Sequence, residues 1–344
     1  VFLLSGWFAT HFDRLKVYRL GLMLHVVYYA CLLTLQEQSP KFAVPLGIIM
    51  GVTWGIFWAG ANTFDFDVTR LGKRERYLGI LQGTTDTFRL IAPMIGGLVI
   101  VFAPTELAGY HRVFAIAIGI FIICFILSIW MPRDDTRRPY KIKRALFPGK
   151  DQRDWRYIMA AAATLAGTFS IFSFLLGLLM YMETGDEVSV GGFASFQALA
   201  GIATALAMSR SIVPRTRLVY LRWGVGLLVL GGALLAFKLD LYTLIIFGFL
   251  RAISGPLFAI PHTGIKLDTI AKSVEEPSQR IEYICAWEVP LAVGRILMMT
   301  IMMSLYGLME DSSTALGLAV FALCSMRLVT YFLLRQTTAA RGEV

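Results

Sequence analysis

Cysteine and histidine are scarce, with four of each among 344 residues. Cys31, Cys124, Cys285 and Cys324 each sit inside an apolar run and lack metal-ligand spacing. They read as small packing residues, with no disulfide scaffold and no metal centre to build. Charge is also thin: 16% of residues carry it, against about 25% in a soluble domain. The chain holds no phosphate-cradling glycine loop, no His-Glu-x-x-His pair and no nucleophile elbow. ATP-driven work, zinc hydrolysis and serine-nucleophile chemistry therefore have no basis in it. The reading is of a protein that is not an enzyme and calls for no cofactor or metal.

What is abundant is apolar: 57% of residues, with a mean hydropathy of +0.66. The apolar runs reach about 20 residues, enough to cross about 30 Å of hydrocarbon. Eleven spans are predicted, near 1–10, 18–35, 42–63, 77–102, 112–131, 156–182, 189–208, 219–236, 241–262, 282–307 and 313–334. The fold class is all-α, a polytopic membrane protein. The first run is half a span that opens in mid-helix at Val1, so an upstream segment is expected before it.

Charge sets the orientation. Basic clusters follow alternate spans: Arg14, Lys16 and Arg19; Arg70 to Arg76; Arg133 to Arg156; Arg210, Arg215, Arg217 and Arg222; Lys266, Lys272 and Arg280. The opposite loops are mainly acidic, with Glu37, Glu106, Glu183, Asp186, Asp240 and Glu310. Positive charge stays inside, which makes the basic loops and the C-terminus cytoplasmic in a multi-pass protein of the inner or plasma membrane. The net charge of +9 is thereby explained by topology and by anionic headgroups of the lipid bilayer, with no nucleic-acid partner. One long basic segment, 133–155, divides the chain into an N-terminal bundle (1–132), a C-terminal bundle (156–335) and a cytoplasmic tail (336–344).

A polar pattern recurs inside the apolar runs. Arg74, Tyr77, Gln82 and Arg89 share their intervals with Arg280, Tyr283, Glu288 and Arg295. Upstream, Gly55, Ala59 and Thr63 match Gly255, Ala259 and Thr263. Both copies cross the membrane in the same sense, six spans apart, which is a parallel repeat.

Two loci then resemble the major facilitator superfamily. Ala9-Thr-His-Phe-Asp13-Arg14, with Arg19 beyond, is similar to that family's Gly-x-x-x-Asp-Arg loop signature. Ala92-Pro93-Met-Ile-Gly96-Gly97 is similar to the Gly-Pro-x-x-Gly-Gly of its proton-coupled exporters. The resemblance implies two six-helix bundles, with helices 2 to 12 present, alternating access, and a proton-coupled exporter of a small organic solute, acting as a monomer. Under it Arg251 lies on a cavity-lining helix.

The candidate coupling or substrate residues are Gln82, Asp86, Arg89, Arg251, Glu288 and Arg295, because charge inside a span is costly. Gln82, Asp86 and Arg89 share one helix face at i, i+4 and i+7, and Arg89 can pair with Asp86. Glu288 and Arg295 share a face about 10 Å apart. Asp86 and Glu288 are the candidate proton carriers. Asp13, Arg14, Asn62, Asp65, Asp67, Arg74, Tyr77, His262, Arg280 and Tyr283 mark the cytoplasmic gate. Pro93, Gly96, Gly97, Pro256 and Pro290 are kink or close-packing positions. Arg327 is expected to snorkel, and the glycine-rich seventh span, with Gly191, Gly192 and Gly201, to pack closely. Three deep arginines against two acids favour an organic anion or an anionic amphiphile. A multidrug exporter, and a receptor or scaffold that keeps the bundle without coupling, stay open.

Overall fold

Helix is what a backbone must form where water cannot bond it, and every predicted span coincides with one in a computed structural model of the chain. The structure describes residues 1–11, 13–68, 74–131, 139–185, 187–208, 210–276, 279–308 and 312–342. In order the helices are α1 (Phe2–His11), α2 (Arg14–Leu35), α3 (Ala43–Val68), α4 (Arg74–Val101), α5 (Glu106–Ser128), α6 (Ile142–Leu146), α7 (Arg153–Thr184), α8 (Glu187–Met208), α9 (Arg217–Phe237), α10 (Leu241–Ser273), α11 (Arg280–Leu308), α12 (Ser312–Arg335) and α13 (Thr338–Arg341). Among the described residues, eight stretches are long and apolar enough to cross a membrane, the first of them, Leu15–Asn62, taking in both α2 and α3. Local chemistry sets several ends. Asp13 accepts from the Leu15 N–H at the start of α2, Thr105 from Ala108 at the start of α5, and Gly185 closes α7 at φ 66°.

The chain falls into two compact units. The first comprises 1–68, 91–146 and 274–286. Here α2 and α3 approach backbone to backbone: a Cβ on Gly21 would meet the Phe57 Cα at 2.6 Å, and one on Gly60 the Tyr18 Cα at 2.9 Å. Small residues permit that approach. Arg19 ties α2 to the end of α5 by donating to the Ser128 carbonyl (2.7 Å) and hydroxyl (3.1 Å).

The second unit comprises 69–90, 147–273 and 287–344. Its core gathers Leu175 and Leu179 of α7, Phe193 of α8, Leu235 of α9, Phe247 of α10 and Leu323 of α12. Gly294 of α11 lies against the Ala163 carbonyl of α7, with no room for a Cβ.

Two features depart from expectation. The span predicted over 241–262 continues as helix to Ser273. Charge that reads as the end of a span is paired here: Lys266 Nζ stands 4.0 Å over the Trp287 ring, and Asp268 meets Arg217 at 2.7 Å. Arg217, predicted in a cytoplasmic loop, is 1% exposed and Asp268 2%. The C-terminal tail is also docked as far as α13. Asp154 accepts from the Thr338 N–H (2.8 Å) and hydroxyl (2.6 Å), and Arg217 donates to the Ala339 carbonyl (3.1 Å).

Candidate functional site

The repeated pattern is in register with the helices that carry it. α4 begins at Arg74 and α11 at Arg280. Tyr77 and Tyr283 therefore fall in first turns, Gln82 and Glu288 about 12 Å in, and Arg89 and Arg295 about 22 Å in, at 1.5 Å per residue. Tyr77 packs against the buried cluster of Leu78, Ile212 and Ile260, and Tyr283 is itself buried.

A polar cluster forms on α4, α8 and α10, all within the second unit. Gln82 Nε2 donates to Asp86 Oδ2 at 2.9 Å, and Arg89 Nη1 lies 3.3 Å from Asp86 Oδ1. Both carboxylate oxygens are thus engaged. The Asp86 side chain is 14% exposed, whereas that of Arg89 is 71% exposed. Arg251 Nη1 donates to Gln197 Oε1 at 3.1 Å, and Arg251 lies within the electrostatic reach of both Asp86 and Arg89. Gly201 of α8 makes the arrangement possible: its missing Cβ would lie 3.6 Å from Asp86 Oδ2 and 3.7 Å from the Ala252 carbonyl. Sequence reasoning brought Gln82, Asp86, Arg89 and Arg251 forward and missed Gln197. Its signal was a lone amide in an otherwise small and apolar span, masked by the close-packing reading of α8. That reading fits poorly elsewhere, since a Cβ on Gly191 or Gly192 would meet nothing within 4 Å.

A second group lies on α10, α11 and α12. His262 is buried, stacked on Phe258 (5.5 Å, 17°) with Trp287 at 6.1 Å. Its Nε2 has no hydrogen-bond partner among the described residues. Arg327, expected to snorkel, is buried with its guanidinium 4.2 Å over Phe258. Glu288 feels Arg295 and Lys266 electrostatically, but no salt bridge joins it to Arg295 among the described residues.

The remaining predicted residues are scattered. Asp13 is buried as the cap of α2, in the first unit. Asn62 is half-buried near the end of α3. Pro256 and Pro290 lie inside α10 and α11. A Cβ on Gly96 or Gly97 would meet nothing within 4 Å, so the close approach expected there is not made by described residues. The side chains of Arg14, Asp65, Asp67, Arg74 and Pro93 lie outside those described. Arg280 opens α11 in the first unit.

A multi-pass helical bundle with an internally wired polar cluster at membrane depth is the architecture of a solute transporter. Residues 1–262 match the family model of the Major Facilitator Superfamily, and the chain belongs to that family. It is 26% identical over 333 residues to the uncharacterized protein YqgE of Bacillus subtilis, covering 96% of this chain and 77% of that one. A chloramphenicol resistance protein of Pseudomonas aeruginosa is 27% identical over 162 residues, 46% of this chain and 37% of that protein. Among solved structures, the E. coli fucose:proton symporter FucP superposes with a TM-score of 0.70 at 15% identity, over 98% of this chain and 87% of that one. The proton:xylose symporter XylE gives 0.69 at 10% identity, over 99% and 85%. These two likenesses concern the fold.

Proposed function

We propose that the protein is a proton-coupled secondary transporter that exports an organic anion, or an anionic amphiphile, across the cell membrane. In this reading two bundles, 1–132 and 156–335, joined by the basic linker 133–155, alternate in access as a monomer with a cytoplasmic C-terminus.

One observation carries the anion assignment. Asp86 has both oxygens occupied by Gln82 and Arg89, while the Arg89 guanidinium stays open. Arg251 stands within the electrostatic reach of both. Charge at membrane depth is costly to leave bare, and a solute carboxylate or phosphate can meet the exposed Arg89 guanidinium with charge-assisted bonds. Protonation of Asp86 removes the charge that Arg89 pairs with, which links proton uptake to release of that arginine. Export is supported by the resemblance of Ala92-Pro93-x-x-Gly96-Gly97 to the exporter motif. A small solute moved with protons is supported by the fucose and xylose symporters of the same fold, and a drug-sized solute by the chloramphenicol resistance relative.

The test is flux in proteoliposomes loaded with benzoate, citrate or hexyl phosphate, with and without an imposed pH gradient. Saturable, gradient-driven efflux of at least one of these anions is expected. Selective flux of organic cations, or the absence of saturable flux for every compound, defeats the reading.

A further inference from the structure

Two oxygens from different helices converge on one glycine. Among the described residues, a Cβ on Gly201 of α8 would meet two atoms within 4 Å: Asp86 Oδ2 of α4 at 3.6 Å and the Ala252 carbonyl oxygen of α10 at 3.7 Å. That carbonyl differs from its helical neighbours. Pro256 stands four residues after Ala252 inside α10 and has no N–H to give it. The nearby Ser254 hydroxyl donates elsewhere, to the Gly224 carbonyl at 2.7 Å. A backbone carbonyl deprived of its helical donor at membrane depth calls for another donor. The two oxygens of Asp86 also differ. Oδ1 lies 3.3 Å from the Arg89 guanidinium, whose charge keeps a proton from that side. Oδ2 accepts from Gln82 Nε2 at 2.9 Å and keeps a second lone pair. The charged groups that face Asp86 among the described residues are Arg89 on its own helix and Arg251 on α10. α8 carries no charged residue after Glu187 at its start.

We propose that the Ala252 carbonyl shares the coupling proton: when Asp86 is protonated, the proton sits on Oδ2 and is donated to that carbonyl across the bare face of Gly201. The inference rests on Asp86 carrying the proton, as proposed above. One proton from water forms the Oδ2–H bond, the carboxylate loses its single negative charge, and Arg89 loses its ion pair. The reverse step returns the proton to water. While Asp86 is ionised, the two oxygens face one another as acceptors. Once it is neutral they are donor and acceptor, and a hydrogen bond to the neutral form favours that form. Pro256, expected as a kink, thus has a second effect, the release of an acceptor, and Gly201 lets the acid reach it. Both are positioning residues: they set how readily an acid on α4 takes its proton.

The experiment is a pH titration of the full chain in liposomes by infrared difference spectroscopy, which needs no solute. The C=O band of the protonated acid is the one that Asp86→Asn removes. Gly201→Ala puts a methyl at ordinary contact distance from both oxygens and a better helix former in α8, so the fold is kept while the oxygens are screened from each other. Pro256→Ala returns an N–H to the Ala252 carbonyl. Each variant is expected to need about tenfold more protons to half-form the band, about one pH unit. Each is also expected to move the band to higher frequency, as a carboxylic acid does on losing its acceptor. The sign separates this role from mere burial, because a methyl that only dried the acid would ease its protonation. A band that keeps its wild-type pH or frequency in the variants, or forms with fewer protons, overturns the shared proton and leaves the coupling role of Asp86 standing. If one variant loses helix content, the other decides alone. A wild-type chain with no band removed by Asp86→Asn between about pH 5 and 8 overturns both.

Discussion

α4 and α11 carry the same arginine at the same depth and wire it differently. Arg89 and Arg295 are the equivalent positions, 206 apart in sequence, as are the helix starts Arg74 and Arg280. Around Arg89 a closed chain runs from Gln82 through Asp86 to the arginine. Around Arg295 the position of Asp86 is Ala292, and the acid has moved one turn back to Glu288, where α4 has Gln82. The prolines differ too: Pro93 stands opposite Met299, and Pro290 opposite Thr84. The helix register and the cation recur, and their partners differ. In α4 the acid is bound through both oxygens, to Gln82 and to Arg89. In α11 the acid has no ion pair with its arginine among the described residues.

The largest effect is therefore expected at Asp86. Asp86→Asn keeps the shape and the Gln82 contact but leaves Arg89 without the carboxylate it pairs with. Proton-driven efflux in liposomes should fall at least about tenfold, a barrier change of about 1.4 kcal/mol, while helix content and monodispersity are retained. Undiminished coupled flux would break the comparison at its centre. Flux is best read between pH 5 and 8, and the acid-labile cap of α10 lies well outside that window. Asp240, before α10, accepts from the Thr243 N–H and pairs with Lys238 at 2.9 Å, which together hold its carboxyl at about 2 rather than the ordinary 3.8. A lowered value means that its stabilisation is complete above 3.8 and is lost as pH falls through about 2. Loss of flux at pH 5 to 8 thus reports the site and not the unfolding of α10.

A smaller effect is expected from Glu288→Gln, which gives α11 the residue α4 already has at that place. Without an ion pair to Arg295 among the described residues, efflux should fall by about two- to fivefold, under 1 kcal/mol in barrier. If Glu288→Gln abolishes coupling while Asp86→Asn spares it, the roles assigned to the two helices are exchanged.

The register of this comparison was legible in the sequence because a helix places i, i+4 and i+7 on one face whatever surrounds it. Gln82, Asp86 and Arg89 were found from spacing alone, and their bonds follow from it. The partners that come from other helices were not legible. Gln197 is 54 positions from Arg251, and Arg217 is 51 from Asp268. Hydropathy counts an isolated Lys266 or Asp268 as the end of a span, because its cost is set by a neighbour that the window does not contain. Once Trp287 and Arg217 are in place, the helix runs on to Ser273. Arg327 was misjudged for the same reason: its depth was readable, and the Phe258 ring that holds it was not.

The smallest effect tests whether wiring or surroundings makes α4 special. Ala292→Asp places an acid three residues before Arg295, as Asp86 precedes Arg89. Position 292 is exposed, so the pair adds the about 0.2–0.5 kcal/mol of a helix-surface ion pair, and the unfolding temperature should move by no more than about 2 °C. Combined with Asp86→Asn, it should not restore coupled efflux. The i,i+3 pair is only part of what surrounds Asp86: Gln82 holds its second oxygen, Gly201 makes its space, and Arg251 stands within its field. α11 repeats the arginine without repeating that enclosure. Rescue of even half the wild-type flux by Ala292→Asp would mean that an acid beside either repeated arginine suffices, and that α8 and its Gln197 are bystanders.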